Sequence, residues 1–175
     1  MSLDVAKKSI DFLVDNIKKS NKKQGTLTFF GGEPTLLWDE IIVPVVEYVE
    51  TTYPNLITFN MTTNGTLLNK ERIDYMYEHK IFPHLSCDGD EYVQNTNRPC
   101  KNGEKSFDLI KKNIPYLLYR FPQTTMRATI SQDTVKETFN SYLFAIVNNF
   151  SSFYITPNCR ENWSEENIKE LNKQV

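Results

Sequence analysis

The sequence predicts an α/β fold, namely a partial (β/α) TIM-like barrel in which helices lie outside a parallel sheet of about five strands. Helix-like and strand-like segments alternate along the 175 residues, which is typical of a parallel sheet covered by helices. Several strands also carry polar residues along one face, whereas a flat parallel sheet is normally apolar on both faces. The chain is too short for a complete eight-unit barrel. We interpret residues 1–175 as one domain.

The elements of the N-terminal half follow from hydrophobic periodicity and capping residues. The first helix has apolar residues at three- and four-residue spacing, with Ser2 as its N-cap. Pro44 interrupts the second helix, which must kink there or begin late. Asn69 is a suitable N-cap for the third. The predicted segments are helix 2–20, strand 26–30, helix 39–53, strand 57–62, helix 69–79 and strand 81–87.

The C-terminal half begins with a polar stretch that we predict to be a long loop. Pro115 indicates a bend in the helix that follows. Thr134 and Glu137 have the spacing of a capping box, and Ser164 begins the last helix. The predicted segments are loop 88–105, helix 106–120, strand 124–131, helix 134–150, strand 152–156 and a helix from residue 164.

Polar side chains alternate with apolar ones along three of these strands. The apolar faces can receive the helices, so the polar faces need a partner other than a dry core. A wet cavity that holds a ligand satisfies this requirement, and a sheet with one solvated face is the alternative. The polar sets are Thr58, Asn60, Thr62 and Asn64; His84, Ser86 and Asp88; and Arg127, Thr129 and Ser131.

Composition excludes several classes of function. The formal net charge of −2 gives no basic surface for nucleic acid. No apolar run approaches the roughly 18 residues that a membrane helix needs, and the first residues lack the apolar segment that is typical of a signal peptide. Three widely spaced cysteines, Cys87, Cys100 and Cys159, fit a reducing compartment better than a disulfide framework. We therefore expect a cytoplasmic protein.

The run Gly31-Gly32-Glu33-Pro34 directly follows the first predicted strand. Glycines allow backbone carbonyls to approach a ligand closely, and Glu33 adds a fixed negative charge. Pro34 disfavours a helical conformation for the residue before it. The loop therefore suits an α-ammonium group, although an ordinary strand-to-helix turn would also use glycines.

Four motifs in this order resemble the radical S-adenosylmethionine (radical SAM) superfamily, and in particular its peptide-modifying branch, which includes anaerobic sulfatase-maturating enzymes. The likeness covers nearly the whole chain. The motifs are Gly-Gly-Glu-Pro-Thr-Leu-Leu at 31–37, Thr-Asn-Gly-Thr-Leu-Leu at 63–68, Ser-Cys-Asp-Gly at 86–89, and Asn97-Arg98 followed by residues 103–108.

The resemblance implies a site for S-adenosylmethionine. It assigns the methionyl ammonium to Gly31, Gly32 and Glu33, and the methionyl carboxylate to Ser86 and Arg98. A zwitterion needs an acid at one end and a set of donors at the other. Asn64 would line the cavity near the ligand. Arg127 either pairs with a carboxylate of ligand or substrate, or neutralises Asp88. No catalytic residue and no metal ligand is assigned.

The sequence departs from the family in its cysteines. The family's CxxxCxxC motif binds a four-iron–four-sulfur cluster, and cluster ligation requires closely spaced thiolates, which this chain lacks. Cys87 should face the covering helices, and a free thiol is the interpretation for Cys100 and Cys159. Gln94 stands where relatives often have histidine.

These departures lead us to interpret the chain as a fragment of a longer enzyme. It would lack the first family strand, the cluster loop and the C-terminal region, and we expect it to be inactive alone. Losing that strand would leave residues 26–30 as an exposed edge, which predicts self-association.

The resemblance implies that the parent enzyme reduces cluster-bound S-adenosylmethionine to a 5′-deoxyadenosyl radical. That radical would abstract hydrogen from a protein or peptide substrate, with electrons from a separate donor. Sulfatase maturation and peptide cross-linking fit the motifs best. The alternatives are an activating enzyme for glycyl-radical enzymes, of the pyruvate formate-lyase activase type, and a non-catalytic small-molecule-binding module.

Overall fold

The computed structural model describes residues Met1–Gln174, which form one parallel α/β sheet with helices around it. The strands lie in the order β1-β2-β3-β4-β5, and the pairs β1–β2, β3–β4 and β4–β5 are parallel. The predicted α/β fold class with about five parallel strands is confirmed. The elements are α1 Leu3–Lys19, β1 Gly25–Phe29, α2 Val43–Thr52, β2 Ile57–Thr63, α3 Lys70–Glu78, β3 Ile81–Ser86, α4 Glu91–Asn97, α5 Ser106–Lys111, α6 Ile114–Arg120, β4 Thr125–Ile130, α7 Thr138–Val147, β5 Ser152–Pro157 and α8 Glu165–Gln174.

The chain forms two compact units, Met1–Thr63 with Asp74–Pro83, and Asn64–Ile73 with His84 onward. The assignment of one domain to residues 1–175 stays a prediction. In the first unit, α1 contacts β1 and α2. Its buried face is the predicted apolar stripe, and the Ser2 hydroxyl accepts a hydrogen bond from Val5 N as the expected N-cap. The buried residues of this helix are Ala6, Ile10, Val14 and Ile17.

In the second unit, the end of β4 and the turn after it form a small core. Ala128, Ile130 and Val135 are buried, and side chains from β5, α8 and the segment between them pack against the cluster. The predicted N-cap of α3 is confirmed, because Asn69 accepts from Arg72 N. The predicted start of the last helix at Ser164 is also confirmed, and its hydroxyl accepts from Asn167 N.

Of the two alternatives for the second helix, the late start is confirmed, because Pro44 lies in the first turn of α2 and a π-helical turn over Trp38–Ile42 comes before it. Two other details of the predicted helices are wrong. Pro115 does not bend one helix, since it lies in the first turn of the separate helix α6. The predicted loop 88–105 contains α4, whose N-cap is Asp90.

The predicted capping box at Thr134 and Glu137 is also wrong. These residues form a 3₁₀ turn, Gln132–Glu137, and α7 begins without a side-chain cap. The Thr134 hydroxyl instead contacts Ser131 and the Asn97 carboxamide. Its hydrogen bonds therefore join the end of β4 to α4.

The alternation along β2, β3 and β4 is confirmed. The residues expected on the apolar faces are buried, and the polar residues between them are half-buried or exposed. One predicted member of the polar faces differs, since Asp88 is only 1% exposed. The buried set comprises Ile57, Phe59, Met61, Leu85, Cys87, Met126, Ala128 and Ile130.

Among the residues Met1–Gln174, no helix combines the length and the apolar character that crossing a membrane requires.

Candidate functional site

In the loop after β1, the backbone of Gly31 and Gly32 is exposed to solvent. Gly31 has φ +120°, a backbone conformation that residues with a side chain rarely adopt. A Cβ atom at Gly31 or at Gly32 would meet no atom within 4 Å. Both glycines are exposed, so their peptide groups are accessible from solvent.

The Glu33 carboxylate is fixed beside these glycines by neighbouring donors. Its Oε1 accepts hydrogen bonds from Thr35 N at 3.1 Å, from the Thr35 hydroxyl at 2.5 Å and from the Thr63 hydroxyl at 2.7 Å. Thr35 is fully buried and Thr63 is 1% exposed. Glu33 also caps the 3₁₀ turn Pro34–Leu37. The carboxylate is therefore oriented by the fold itself.

The second unit contains two further predicted residues, Asn64 directly after β2 and Ser86 at the end of β3. The Asn64 carboxamide oxygen accepts from Thr66 N at 2.9 Å and from the Thr66 hydroxyl at 2.7 Å, which closes the turn after β2. Ser86 ends β3 and is half-buried. Its hydroxyl makes no hydrogen bond to any residue in the described range, so it can turn toward a ligand.

Arg98, the last predicted site residue, is paired with Asp88. Arg98 Nε donates to Asp88 Oδ2 at 2.8 Å, and Arg98 Nη2 donates to Asp88 Oδ1 at 2.9 Å. Thr129 N also donates to Asp88 Oδ1, at 2.8 Å. The carboxylate is buried, whereas the Arg98 side chain is 29% exposed.

Buried polar groups hold the segment around this ion pair. Asp88 N donates to Gln94 Oε1 at 2.8 Å, and Gln94 Nε2 contacts the Ser106 hydroxyl at 3.3 Å. Gly89 has φ +148°, and a Cβ there would lie 2.6 Å from Ser141 Oγ. A hydrogen bond thus joins the backbone after β3 to α4, and α7 packs closely against Gly89.

A polar cavity of about 310 Å³ opens beside Asp88 and Arg98. Its other lining residues come from the end of α4, from the end of β4 and from the segments that follow β4 and β5. They are Thr96, Asn97, Thr129, Ser131, Asp133, Asn158 and Glu161. Strand ends of parallel sheets commonly carry ligand sites, and this cavity lies at such an end.

The alternative role of Arg127 as the partner of Asp88 is wrong, because Arg98 occupies that carboxylate. The Arg127 guanidinium lies 5.7 Å from the centre of the Tyr154 ring, in a cation–π arrangement. Burial, with the charge of Arg127 as a lesser cause, lowers the pKa of His84 below its ordinary value. His84 is therefore neutral at pH 7.

Cys87 is buried, as predicted, and its thiol contacts Gly89 O at 3.5 Å. Burial raises the pKa of this thiol to about 12, so it stays protonated. All three cysteines are free thiols. Within Met1–Gln174, no group of three or more histidine, cysteine or carboxylate side chains is arranged to hold a metal ion. The residues present therefore do not fit an iron–sulfur cluster.

The predicted site residues fall into two groups. Gly31, Gly32 and Glu33 lie in the first unit, and Asn64, Ser86 and Arg98 lie in the second. Convergence of the two groups on one ligand stays a prediction.

Sequence reasoning missed Thr35 and Thr63 as partners of Glu33, and Asp88 as the partner of Arg98. The available signal was an aspartate directly after a predicted strand and ten residues before an arginine.

Comparisons with known proteins all indicate the same protein family. The family model described as the radical SAM superfamily matches residues 4–145. An uncharacterized protein of Methanocaldococcus jannaschii is 33% identical over 178 residues, covering 99% of this chain and 60% of that protein.

Two named enzymes are also similar. The radical SAM cyclopropyl synthase TigE of Paramaledivibacter caminithermalis is 25% identical over 146 residues, covering 81% of this chain and 29% of the enzyme. A cysteine-type anaerobic sulfatase-maturating enzyme of Clostridium perfringens is 29% identical over 105 residues, covering 59% and 28%. The chain thus spans less than two thirds of the length of each of these relatives.

Solved structures share the fold. Native anSMEcpe with bound AdoMet gives a TM-score of 0.78 at 20% identity, covering 91% of this chain and 47% of that one. Streptococcus suis SuiB bound to precursor peptide SuiA gives a TM-score of 0.65 at 17% identity, covering 95% and 37%. At these identities the likeness establishes the partial barrel-like fold.

Proposed function

The chain belongs to the radical SAM superfamily, as its motifs predicted, and on that premise we propose that it is the S-adenosylmethionine-binding part of a peptide- or protein-modifying enzyme. The observation that carries the proposal is the Glu33 carboxylate, fixed by three hydrogen bonds beside two exposed glycines. An oriented acid next to accessible peptide groups is the arrangement that binds an ammonium group.

The residues of the first unit fit the amine of the ligand. A Cβ at Gly31 or Gly32 would point into open space, so a ligand can lie directly against the backbone carbonyls there. Glu33 provides the charge, and Thr35 and Thr63 orient it. These groups recognise an α-ammonium without any rearrangement of the loop.

The residues of the second unit fit the carboxylate of the ligand. Ser86 offers a hydroxyl that has no protein partner in the described range, and Arg98 offers a guanidinium at the wall of a polar cavity. A hydroxyl and a guanidinium together supply directional donors and a positive charge. Asn64 stabilises the turn after β2 and lines the approach to the ligand.

S-adenosylmethionine, when bound and reduced at a four-iron–four-sulfur cluster of the full-length enzyme, would supply a 5′-deoxyadenosyl radical for hydrogen abstraction. The residues of this chain bind the amino-acid part of that ligand and orient it. Within the second unit, the half-buried polar residues of β3 and β4, which include Ser86, Arg127 and Thr129, would face the ligand or its substrate.

The proposed substrate is a peptide or protein side chain. The relatives named as cysteine-type anaerobic sulfatase-maturating enzymes and the structures of anSMEcpe with Cp18Cys peptide and of SuiB with its precursor peptide support this class. These likenesses favour sulfatase maturation or another modification of a peptide over activation of a glycyl-radical enzyme. An electron donor would be a further partner of the complete enzyme.

Calorimetry with S-adenosylmethionine and S-adenosylhomocysteine tests the proposal. Wild-type protein should bind both ligands, and Glu33→Gln should weaken binding about 10–100-fold, because a hydrogen bond to a charged group is lost. Glu40→Gln, which changes an exposed carboxylate of the same segment, should leave the affinity unchanged. Tight binding of an unrelated metabolite, with no affinity for either ligand, would favour the non-catalytic binding module instead.

Two further proposals, on the activity of the isolated chain and on its self-association, have separate tests. We expect the isolated chain to be inactive and to bind no cluster, so anaerobic iron–sulfur reconstitution should leave substoichiometric iron. Stable uptake of about four irons per chain would contradict that expectation.

Self-association is the second. Strand β1 lies at one edge of the sheet, and an exposed edge strand can pair with another copy. Sedimentation should therefore show oligomers at high concentration, and a monomer throughout the range would contradict the proposal.

A further inference from the structure

We propose that Asp88 is a positioning residue, which holds the Arg98 guanidinium in the orientation that meets the ligand's carboxylate. The inference rests on the proposed function, because it takes Arg98 to be a ligand-binding residue. It goes further by assigning a role to a buried acid that the motif alone does not explain.

The burial of the two partners is unequal. Asp88 is 1% exposed, and the Arg98 side chain is 29% exposed and lines the polar cavity. A buried ion pair is poor support for stability, because removing two charges from water offsets most of their attraction. A buried acid beneath an accessible cation is better explained as a support for that cation.

The hydrogen bonds fix which side of the guanidinium faces Asp88. Asp88 receives the Nε and Nη2 side of Arg98, and Nη2 also lies 3.4 Å from the Thr129 hydroxyl. The Nη1 side is the one that Asp88 leaves available to a ligand. Planar, two-point pairing of this kind sets the orientation of an arginine as well as its position.

Asp88 is itself held at both its backbone and its side chain. Thr129 N donates to its carboxylate, and its own N–H donates to Gln94 Oε1. Gln94 is 1% exposed, so this contact is shielded from water. A long arginine side chain loses much rotamer freedom on binding a ligand, and this network removes that loss in advance.

An exposed ion pair in the same region provides the contrast. Lys105 Nζ lies 2.6 Å from Glu91 Oε1, but the two side chains are 61% and 53% exposed. Water can replace either partner, so such a pair orients little. Glu91→Gln is therefore the matched control, since it removes a salt-bridged carboxylate from α4 without affecting Arg98.

The experiment compares S-adenosylhomocysteine with 5′-methylthioadenosine, which lacks the amino-acid group, by calorimetry. Arg98→Ala should weaken binding of S-adenosylhomocysteine roughly 10–100-fold and leave 5′-methylthioadenosine unchanged. Asp88→Asn should weaken the first ligand roughly 5–10-fold and spare the second. In the Arg98→Ala background, Asp88→Asn should have no further effect on either ligand.

The sign of the Asp88→Asn effect separates orientation from charge. Removing the Asp88 charge makes the surroundings of Arg98 more positive, so tighter binding of S-adenosylhomocysteine would overturn the inference. Equal loss of both ligands would also overturn it, because that result would indicate damage to the fold. An effect of Arg98→Ala with none of Asp88→Asn would overturn this inference alone, while the proposed function would stand.

Arg98→Lys keeps the test decisive if Asp88→Asn does not fold. Lysine retains the charge but not the planar pairing, so S-adenosylhomocysteine should lose affinity and 5′-methylthioadenosine should not. Unchanged affinity for S-adenosylhomocysteine would overturn the inference. If wild-type protein binds the two ligands equally, the proposed function fails and the inference fails with it.

Discussion

The Thr63 hydroxyl donates a 2.7 Å hydrogen bond to Glu33 Oε1 across thirty residues of sequence. Thr63 ends β2 and is only 1% exposed. The carboxylate that carries the proposed function is therefore oriented by the neighbouring strand as well as by its own loop.

Replacing Thr63 with valine should destabilise the protein. The change keeps the side-chain shape but removes a donor to a carboxylate, which should lower the free energy of unfolding by about 1–2 kcal/mol. Urea denaturation measures the loss. Thr58→Val on the same strand is the control, because Thr58 is exposed and its loss should stay within about 0.5 kcal/mol. Equal effects of the two substitutions would show that the Thr63 bond contributes nothing specific.

Gly31 and Gly32 should respond differently to alanine. Gly31→Ala places a side chain at φ +120° and should lower the free energy of unfolding by about 1 kcal/mol or more. Gly32→Ala meets no atom within 4 Å, so stability should hold while affinity for S-adenosylhomocysteine falls. Thermal denaturation and calorimetry on the two variants measure both quantities. Unchanged affinity in Gly32→Ala would mean that no ligand lies against that peptide group.

The three thiols should differ in reactivity. Burial raises the pKa of Cys87 to about 12, and the thiolate is the reactive form. At pH 8, Cys159 should react fastest with iodoacetamide because it is exposed, and Cys87 should react only after unfolding. Mass spectrometry of timed samples follows each site, with Cys159→Ser as the control for assignment. Rapid labelling of Cys87 in native protein would contradict its burial.

Acid should weaken the fold through His84. Its pKa is lowered in the folded state from 6.5, first by burial and then by Arg127, so the unfolded chain takes up this proton more readily. The contribution of His84 to stability is complete above pH 6.5 and declines as the pH falls below that value toward the folded pKa.

His84→Gln should therefore reduce the loss of unfolding free energy between pH 7 and pH 5. Urea denaturation of wild type and variant at several pH values measures the difference. His79, which pairs with Glu50, is present in both proteins, so any contribution that it makes to the unfolding free energy cancels in the comparison. Parallel pH curves would show that His84 is not protected from protonation.

The alternation of polar and apolar residues predicted the sheet faces correctly, because burial on one face imposes a strict two-residue period. Ile57, Phe59 and Met61 are buried as that period requires. Helix boundaries at prolines were harder to predict. Pro115 is compatible with a bend or with a new first turn, and packing of the surrounding helices decides between them.

The candidate site was predictable where local sequence determines chemistry. The Gly31–Gly32 backbone and the Glu33 acid follow from residue type and position. The partner of Asp88 did not, since strand alternation placed Asp88 on the polar face, where Arg127 was one candidate partner. The unpredicted helix α4 brings Arg98 back to Asp88 instead, and only tertiary structure shows this.

The side-chain anchors around Asp88 also govern how its peptide group meets solvent. The amide protons of Asp88 and Thr129 are donated to the buried side-chain oxygens of Gln94 and Asp88 respectively. Deuterium can replace these protons only when the two hydrogen bonds break. Two side chains, those of Gln94 and Asp88, therefore hold backbone N–H groups that another strand would hold in a regular sheet. A single substitution of Gln94 or Asp88 can increase the mobility of the backbone after β3 while every helix and strand keeps its length.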